Sequence, residues 1–193
     1  MLPLVLVWPY GLGFWVAYAW VFWPQLRMMK QARALPTEQD AGSLRMILIG
    51  GRLAELVAAI LALTLPVAAV PAPVVFYMLG VAVLVSGGLL RRHCIRMLGP
   101  RFTSAVGVTS VQPVIARGAY RWVRHPSYTA GLLITTGIGL AWGNWGSLLV
   151  LVLATLFLYA YRVIVEERAL TAVLGEEYLL YMRRTKRFIP FVV

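Results

Sequence analysis

"RHPSYTAGLLITTGIGLAWGNWGSLLVLVLATLFLYAYRVIVEE", residues 124–167, decides the fold. From Pro126 to Tyr161 it has no charged residue, and its two apolar runs, about 128–142 and 147–165, flank "GNWG" at 143–146. Glycine and asparagine punctuate helices, so the stretch reads as two apolar helices joined by a tight turn. A bilayer core of about 30 Å takes roughly 20 apolar residues per crossing. Charge is absent from the hairpin and crowded at its open end, as expected when the middle of the hairpin sits in hydrocarbon.

Working outward, the first apolar run covers residues 2–23, with no charge until Arg27. "AYA" at 17–19 resembles a signal-peptidase site, but no basic segment precedes it and the apolar run continues past it. It therefore reads as an uncleaved helix, bent at Pro9. A second run covers about 46–70 and a third about 73–90, with Pro71 and Pro73 turning the chain between them. These readings predict an all-α integral membrane protein: five transmembrane helices followed by a C-terminal cytoplasmic amphipathic helix.

Composition agrees with that reading. The 193 residues are 61% hydrophobic, with a mean hydropathy of +0.79, unlike a water-soluble domain. The net charge of +11 would suit nucleic acid on a soluble basic face, but here the arginines lie between apolar spans. Membrane lipid is the expected partner and nucleic acid is not. Arg27, Lys30, Arg33 and Arg45 fall between spans one and two, and Arg91, Arg92, Arg96, Arg101, Arg117, Arg121 and Arg124 between three and four. More follow span five, while the other two connections carry no charge. The positive-inside rule then puts the N-terminus outside and the basic loops in the cytoplasm. Only two lysines, with much Ala, Leu, Val, Gly and Arg, suit a GC-rich prokaryotic genome and hence an inner membrane.

Inside the spans, Arg52 and Glu55 are three apart and can pair on one helix face. Gly50, Gly51, Gly80, Gly87, Gly88, Gly131 and Gly137 read as helix-packing positions, since none forms a nucleotide-binding fingerprint. Cys94 is alone, so it forms no intrachain disulfide, and with His93 it leaves a metal site short of ligands. Beyond span five, Val163, Leu170, Val173, Leu174 and Leu180 recur near helical spacing among charges, as in a helix lying on the membrane surface. Arg162 and Glu166 share a face where span five reaches the interface.

"VRHPSYTAG" at 123–131, then "RVIVEERALTAVLGEEY" at 162–178 and "RTKRFIP" at 184–190, resemble the isoprenylcysteine carboxyl methyltransferase family and its phospholipid methyltransferase relatives. The resemblance covers about 98–190 and divides the chain into an N-terminal three-helix part, 1–97, and a methyltransferase core, 98–193. It implies a membrane enzyme that binds S-adenosylmethionine beneath its C-terminal segments and takes a lipophilic or prenylated acceptor from the bilayer. By the same resemblance Gln112, Pro113, Val114, Ile115, Tyr120, His125, Pro126, Ser127 and Tyr128 hold the cofactor, while Arg162 and Glu166 are catalytic and recognise the acceptor. Two departures from relatives stand in the loop, Ala119 where Gly-Pro-Tyr is common and Gln112 where several have His.

The residue types suit that chemistry independently. Methyl transfer from a sulfonium asks the protein to bind, align and exclude water, with no metal required. Tyrosine faces favour a sulfonium, and a histidine with nearby N–H groups favours a carboxylate. The acceptor is expected to be the carboxylate of an isoprenylcysteine-like compound. Alternatives are a phenolic lipid or phospholipid amine, or a nicotinamide-dependent reductase in place of a methyltransferase; a transporter or scaffold lacks the expected internal repeats.

Overall fold

The computed structural model describes residues 2–32, 40–99 and 114–188. Among the described residues there are six α-helices: α1 (Tyr10–Ala32), α2 (Ser43–Thr64), α3 (Pro73–Leu98), α4 (Pro126–Ala141), α5 (Trp145–Leu174) and α6 (Glu176–Arg184). Among the described residues there is no β-strand, and two isolated bridges join loops, Ala69 with Asn144 and Val123 with Lys186. Among the described residues three helices, α2, α3 and α5, are long and apolar enough to cross a membrane. At 16 residues and about 1.5 Å of rise each, α4 is shorter than the hydrocarbon core.

The first apolar stretch is not one helix from its start. A 3-10 turn covers Leu4–Leu6 and α1 begins at Tyr10, immediately after Pro9. Proline has no N–H to give a preceding turn and restricts the residue before it, so Pro9 marks a helix boundary, not a bend within one. The helices also outrun the apolar runs: α3 continues to Leu98 and α5 to Leu174, nine residues past the expected end of span five.

Packing is centred on α3 and α4. A β-carbon on Gly80 would lie 2.4 Å from the backbone N of Ala141, and one on Gly137 would lie 2.4 Å from that of Leu84. The two helices therefore touch backbone to backbone, which only hydrogen at these positions allows. Gly87 makes the same approach to Ala130 and Ile134. Gly51, expected among the packing glycines, meets nothing within 4 Å. Leu84, Ile134, Ile138 and Leu151 join Phe14 and Tyr77 in the buried core.

Polar contacts fasten the ends. Ser147 Oγ donates to the Ala58 carbonyl at 2.6 Å, and Asn144 caps α5 by accepting from Ser147 N at 3.1 Å while donating to the Leu65 carbonyl at 3.0 Å. With Val70 N donating to Gly143 O at 3.0 Å, the two charge-free connections meet at one end of the bundle. Arg92 Nη2 donates to the Trp20 carbonyl at 2.6 Å, and its guanidinium lies 3.8 Å from the Trp20 ring. The Arg52–Glu55 pair forms at 2.7 Å, and the Tyr18 hydroxyl of α1 joins it, donating to Glu55 Oε2 at 3.1 Å and accepting from Arg52 at 2.9 Å. Leu53, Leu63, Leu149, Leu153 and Phe157 are more than half exposed, an apolar girdle too large for a water-facing surface and suited to lipid.

Candidate active site

Residues 117–125 fold as a short 3-10 turn, Gly118–Arg121, followed by an extended turn into Pro126, the first residue of α4. Proline is favoured there because its missing N–H has no helical partner to lose. The segment after α6 lies along this loop: Arg124 N donates to Lys186 O at 2.7 Å, His125 N to Arg187 O at 3.0 Å and Lys186 N to Trp122 O at 3.3 Å. Thr129 Oγ1 donates to the Phe188 carbonyl at 2.8 Å.

One carboxylate fastens this arrangement. Glu167 accepts from Arg124 Nε at 2.9 Å and from Arg187 Nη2 at 2.9 Å, with His125 Nε2 at 3.2 Å. Arg124 also donates to the carbonyls of Met182 and Thr185. Since a carboxylate between two guanidiniums acts as acceptor, His125 Nε2 donates to it. The other ring nitrogen, Nδ1, is 3.7 Å from Glu166 Oε2.

Beside it stands a second chain of contacts. The Tyr128 hydroxyl donates to Glu166 Oε2 at 2.7 Å and accepts from Arg162 Nε at 3.1 Å, so a tyrosine links the two residues that helical spacing sets side by side. Arg162 Nη1 is hydrogen-bonded to Asp40 and to Ser43 Oγ. Arg162 is only 4% exposed, buried at the junction of α2, α4 and α5. Aromatic rings crowd the same region: His125 lies 5.5 Å from Tyr128 and 6.3 Å from Phe188, and Tyr128 lies 4.9 Å from Tyr159.

The roof is α6. Glu177 accepts from Val114 N at 3.3 Å and Tyr181 donates to the Tyr120 carbonyl at 2.7 Å, holding both ends of the loop. Burial pushes the Tyr120 and Tyr178 phenols well above their ordinary range, and nearby carboxylates push the same way. Burial also pushes Tyr181 up to about 12. All three remain neutral donors. The Tyr178 hydroxyl is buried yet has no hydrogen-bond partner among the described residues, and a buried unpaired hydroxyl in a native fold calls for an explanation.

A groove of about 600 Å³ runs between α2 and α5, with Ile49 and Leu53 on one wall and Phe157 and Leu158 on the other. Gly42 and Arg45 line it too. Leu158 is one helical turn before Arg162, and Gly42 precedes Ser43, so the groove adjoins the Arg162 cluster.

Of the residues expected in the site, Tyr120, His125 and Pro126 are buried, Val114, Ile115, Ser127 and Tyr128 are half-buried, and Arg162 and Glu166 meet through Tyr128. Gln112 and Pro113 lie outside the described residues. Tyr128, expected to hold cofactor, spends its hydroxyl on the Arg162–Glu166 pair. Asp40, Ser43, Glu167, Tyr178 and Arg187 were not expected here. Glu167, Tyr178 and Arg187 stand in the stretches that carry the resemblance, 162–178 and 184–190, whereas Asp40 and Ser43 had no such signal.

Comparison with known proteins gives a consistent result. Residues 78–172 match the model of the isoprenylcysteine carboxyl methyltransferase (ICMT) family. That match starts inside α3, earlier than the resemblance read from the motifs, and stops before α6. The chain is 28% identical over 116 residues to a protein-S-isoprenylcysteine O-methyltransferase of Tribolium castaneum, covering 59% of this chain and 41% of that protein. It is 27% identical over 115 residues to protein-S-isoprenylcysteine O-methyltransferase B of Arabidopsis thaliana, covering 58% of each. The solved structure of the eukaryotic intramembrane Ras methyltransferase ICMT superposes with a TM-score of 0.62 at 25% identity, over 75% of this chain and 52% of that one. The chain thus spans about half the length of these relatives.

Proposed function

We propose that the chain, which matches the isoprenylcysteine carboxyl methyltransferase family over residues 78–172, is a membrane methyltransferase using S-adenosylmethionine on the carboxylate of an isoprenylcysteine-like lipid. The observation that carries the reading is the Arg162–Tyr128–Glu166 chain, with Arg162 buried, beside an apolar groove. A guanidinium suits a carboxylate, and the groove suits its lipid tail. Relatives named for this reaction favour it over a phenolic lipid, a phospholipid or a nicotinamide-dependent reduction.

The residues also fit the cofactor. Tyr178 offers a buried hydroxyl in need of a partner, and the faces of His125, Tyr128 and Phe188 form an aromatic wall suited to a sulfonium. When bound, S-adenosylmethionine supplies an electrophilic methyl carbon. Tyr120, His125, Pro126 and Ser127, with Val114 and Ile115, would hold it under α6, and Gln112 and Pro113 are proposed from the resemblance. Arg162 would hold the acceptor carboxylate, and Tyr128 orients the guanidinium by accepting from its Nε. Since the acceptor acid is ionised at neutral pH, no proton has to move, and Glu166 acts by holding Tyr128.

Calorimetry with S-adenosylhomocysteine tests the cofactor assignment. His125→Ala should weaken binding about tenfold, as for one lost charge-assisted contact. Tyr178→Phe should weaken binding about fivefold, yet leave the melting temperature of the ligand-free protein unchanged or raised, because it removes an unpaired buried hydroxyl. Unaltered affinity in both variants removes the assignment, and tighter binding of NADPH would revive the reductase.

For topology we propose five crossings, α1 to α5, with α6 on the cytoplasmic face, in a prokaryotic inner membrane. The charge-free connections share one end and the basic ones the other, which supports an outside N-terminus. Reporter fusions at the two termini should read opposite sides. Equal readings would make the number of crossings even.

A further inference from the structure

The place on Arg162 that the acceptor needs is already taken. Asp40, a residue of the connection before α2, sets its carboxylate against Arg162 Nη1, and both side chains are buried. The same carboxylate accepts from Leu44 N at 3.0 Å and from Ser43 Oγ at 3.3 Å, so it also caps the start of α2. Nothing local requires it to reach across to α5, since a cap is complete with the contacts to its own helix.

The backbone after it is strained. Ala41 has φ +45° and Gly42 φ +73°, two successive left-handed residues, the first bearing a β-carbon. A non-glycine residue there persists only when its surroundings hold it. The Tyr161 hydroxyl, beside Arg162 on α5, supplies part of that hold by donating to the Ala41 carbonyl at 3.3 Å. Gly42 and Arg45 meanwhile line the groove between α2 and α5. A lipid-tailed carboxylate lying in that groove would bring its charged end to the Asp40–Arg162 contact.

We propose that Asp40 is a tethered stand-in for the acceptor carboxylate, pairing Arg162 until the acceptor displaces it and so setting both affinity and the demand for an anionic headgroup. This rests on the proposed acceptor class. The exchange replaces one carboxylate with another on the same guanidinium, and the freed Ala41–Gly42 backbone can relax. A lipid with an uncharged headgroup gains too little from Arg162 to expel Asp40 and is refused. Asp40 is a positioning residue here, not a catalytic one.

The test is methyl transfer from labelled S-adenosylmethionine to an amine-blocked S-prenylcysteine, comparing wild type with Asp40→Asn and Asp40→Ser, both of which keep a capping oxygen. The KM for the acceptor should fall about tenfold, the size of one lost competing charge-assisted contact, while kcat changes far less and S-adenosylhomocysteine affinity stays put. The corresponding amide, an uncharged analogue, should inhibit the variants better than the wild type. A KM that is unchanged or raised in both variants, with cofactor binding intact, overturns the proposal and leaves Asp40 as a simple cap and orienter. If the wild type itself methylates no prenylated carboxylate while binding cofactor, the acceptor class falls and this assignment falls with it. The inactive protein, wild type or variant, tells the two failures apart.

Discussion

Arg162→Ala should lower methyl transfer to a prenylated carboxylate by about three orders of magnitude and leave S-adenosylhomocysteine affinity within about twofold. Removing one partner of a buried ion pair costs about 3–5 kcal/mol, and at about 1.4 kcal/mol per factor of ten in rate that is about two to three and a half decades. Here the loss also takes the anchor of the Tyr128 hydroxyl and the partner of Asp40. Glu166→Gln keeps an oxygen that accepts from Tyr128, so it should cost only about tenfold, with a pH profile like that of the wild type. A loss of about a hundredfold or more in Glu166→Gln, with a wild-type rate that falls on acidification, would instead make Glu166 a general base for a phenol or amine. Full activity of Arg162→Ala on every acceptor would remove the acceptor site altogether.

Gly137→Leu should abolish the folded bundle. Even its first added carbon would sit 2.4 Å from Leu84 N and 2.6 Å from the Gly80 carbonyl oxygen, contacts with backbone that no rotamer relieves. Gly137→Ala should cost about 1–3 kcal/mol for the same reason. Gly51→Ala, where nothing lies within 4 Å, should be neutral or stabilising by up to about 1 kcal/mol because alanine favours the helix. Thermal unfolding in detergent, followed by helical signal, checks all three. Equal melting temperatures for Gly137→Ala and Gly51→Ala would mean that α3 and α4 are not held by the glycine seam.

The hairpin was legible because its signals are local: apolar runs, a turn between them and charge at one end. That Arg162 and Glu166 share a helix face was legible for the same reason, since four residues is about one helical turn. The contacts that build a site around that pair are not local. Tyr128 is 34 residues from Arg162 and Asp40 is 122, distances at which periodicity says nothing. Glu167 illustrates the point, since adjacent helix positions face about 100° apart. The sequence marks Glu166 by its spacing, while Glu167 has meaning only once Arg124 and Arg187 arrive from other segments. The glycines were readable as a group but not singly, as Gly137 and Gly51 show. Pro9 was recognised as an irregularity, yet whether it bends a helix or begins one depends on where the preceding residues pack.

The Glu167 clasp has a consequence for biosynthesis. Synthesis runs from N- to C-terminus, so Lys186 and Arg187 leave the ribosome only after all six helices, whereas Trp122, Arg124, His125 and Glu167 are already in place by then. The bundle can therefore enter the bilayer before its chemistry exists. A nascent chain that stalls within α6 would hold its helices, its groove and its Arg162, but its loop at 122–125 would lack the hydrogen-bonding strand that orders it. Such a chain would keep the apolar groove without an ordered loop beside it, and the loop is completed only when residues 186–187 have been translated.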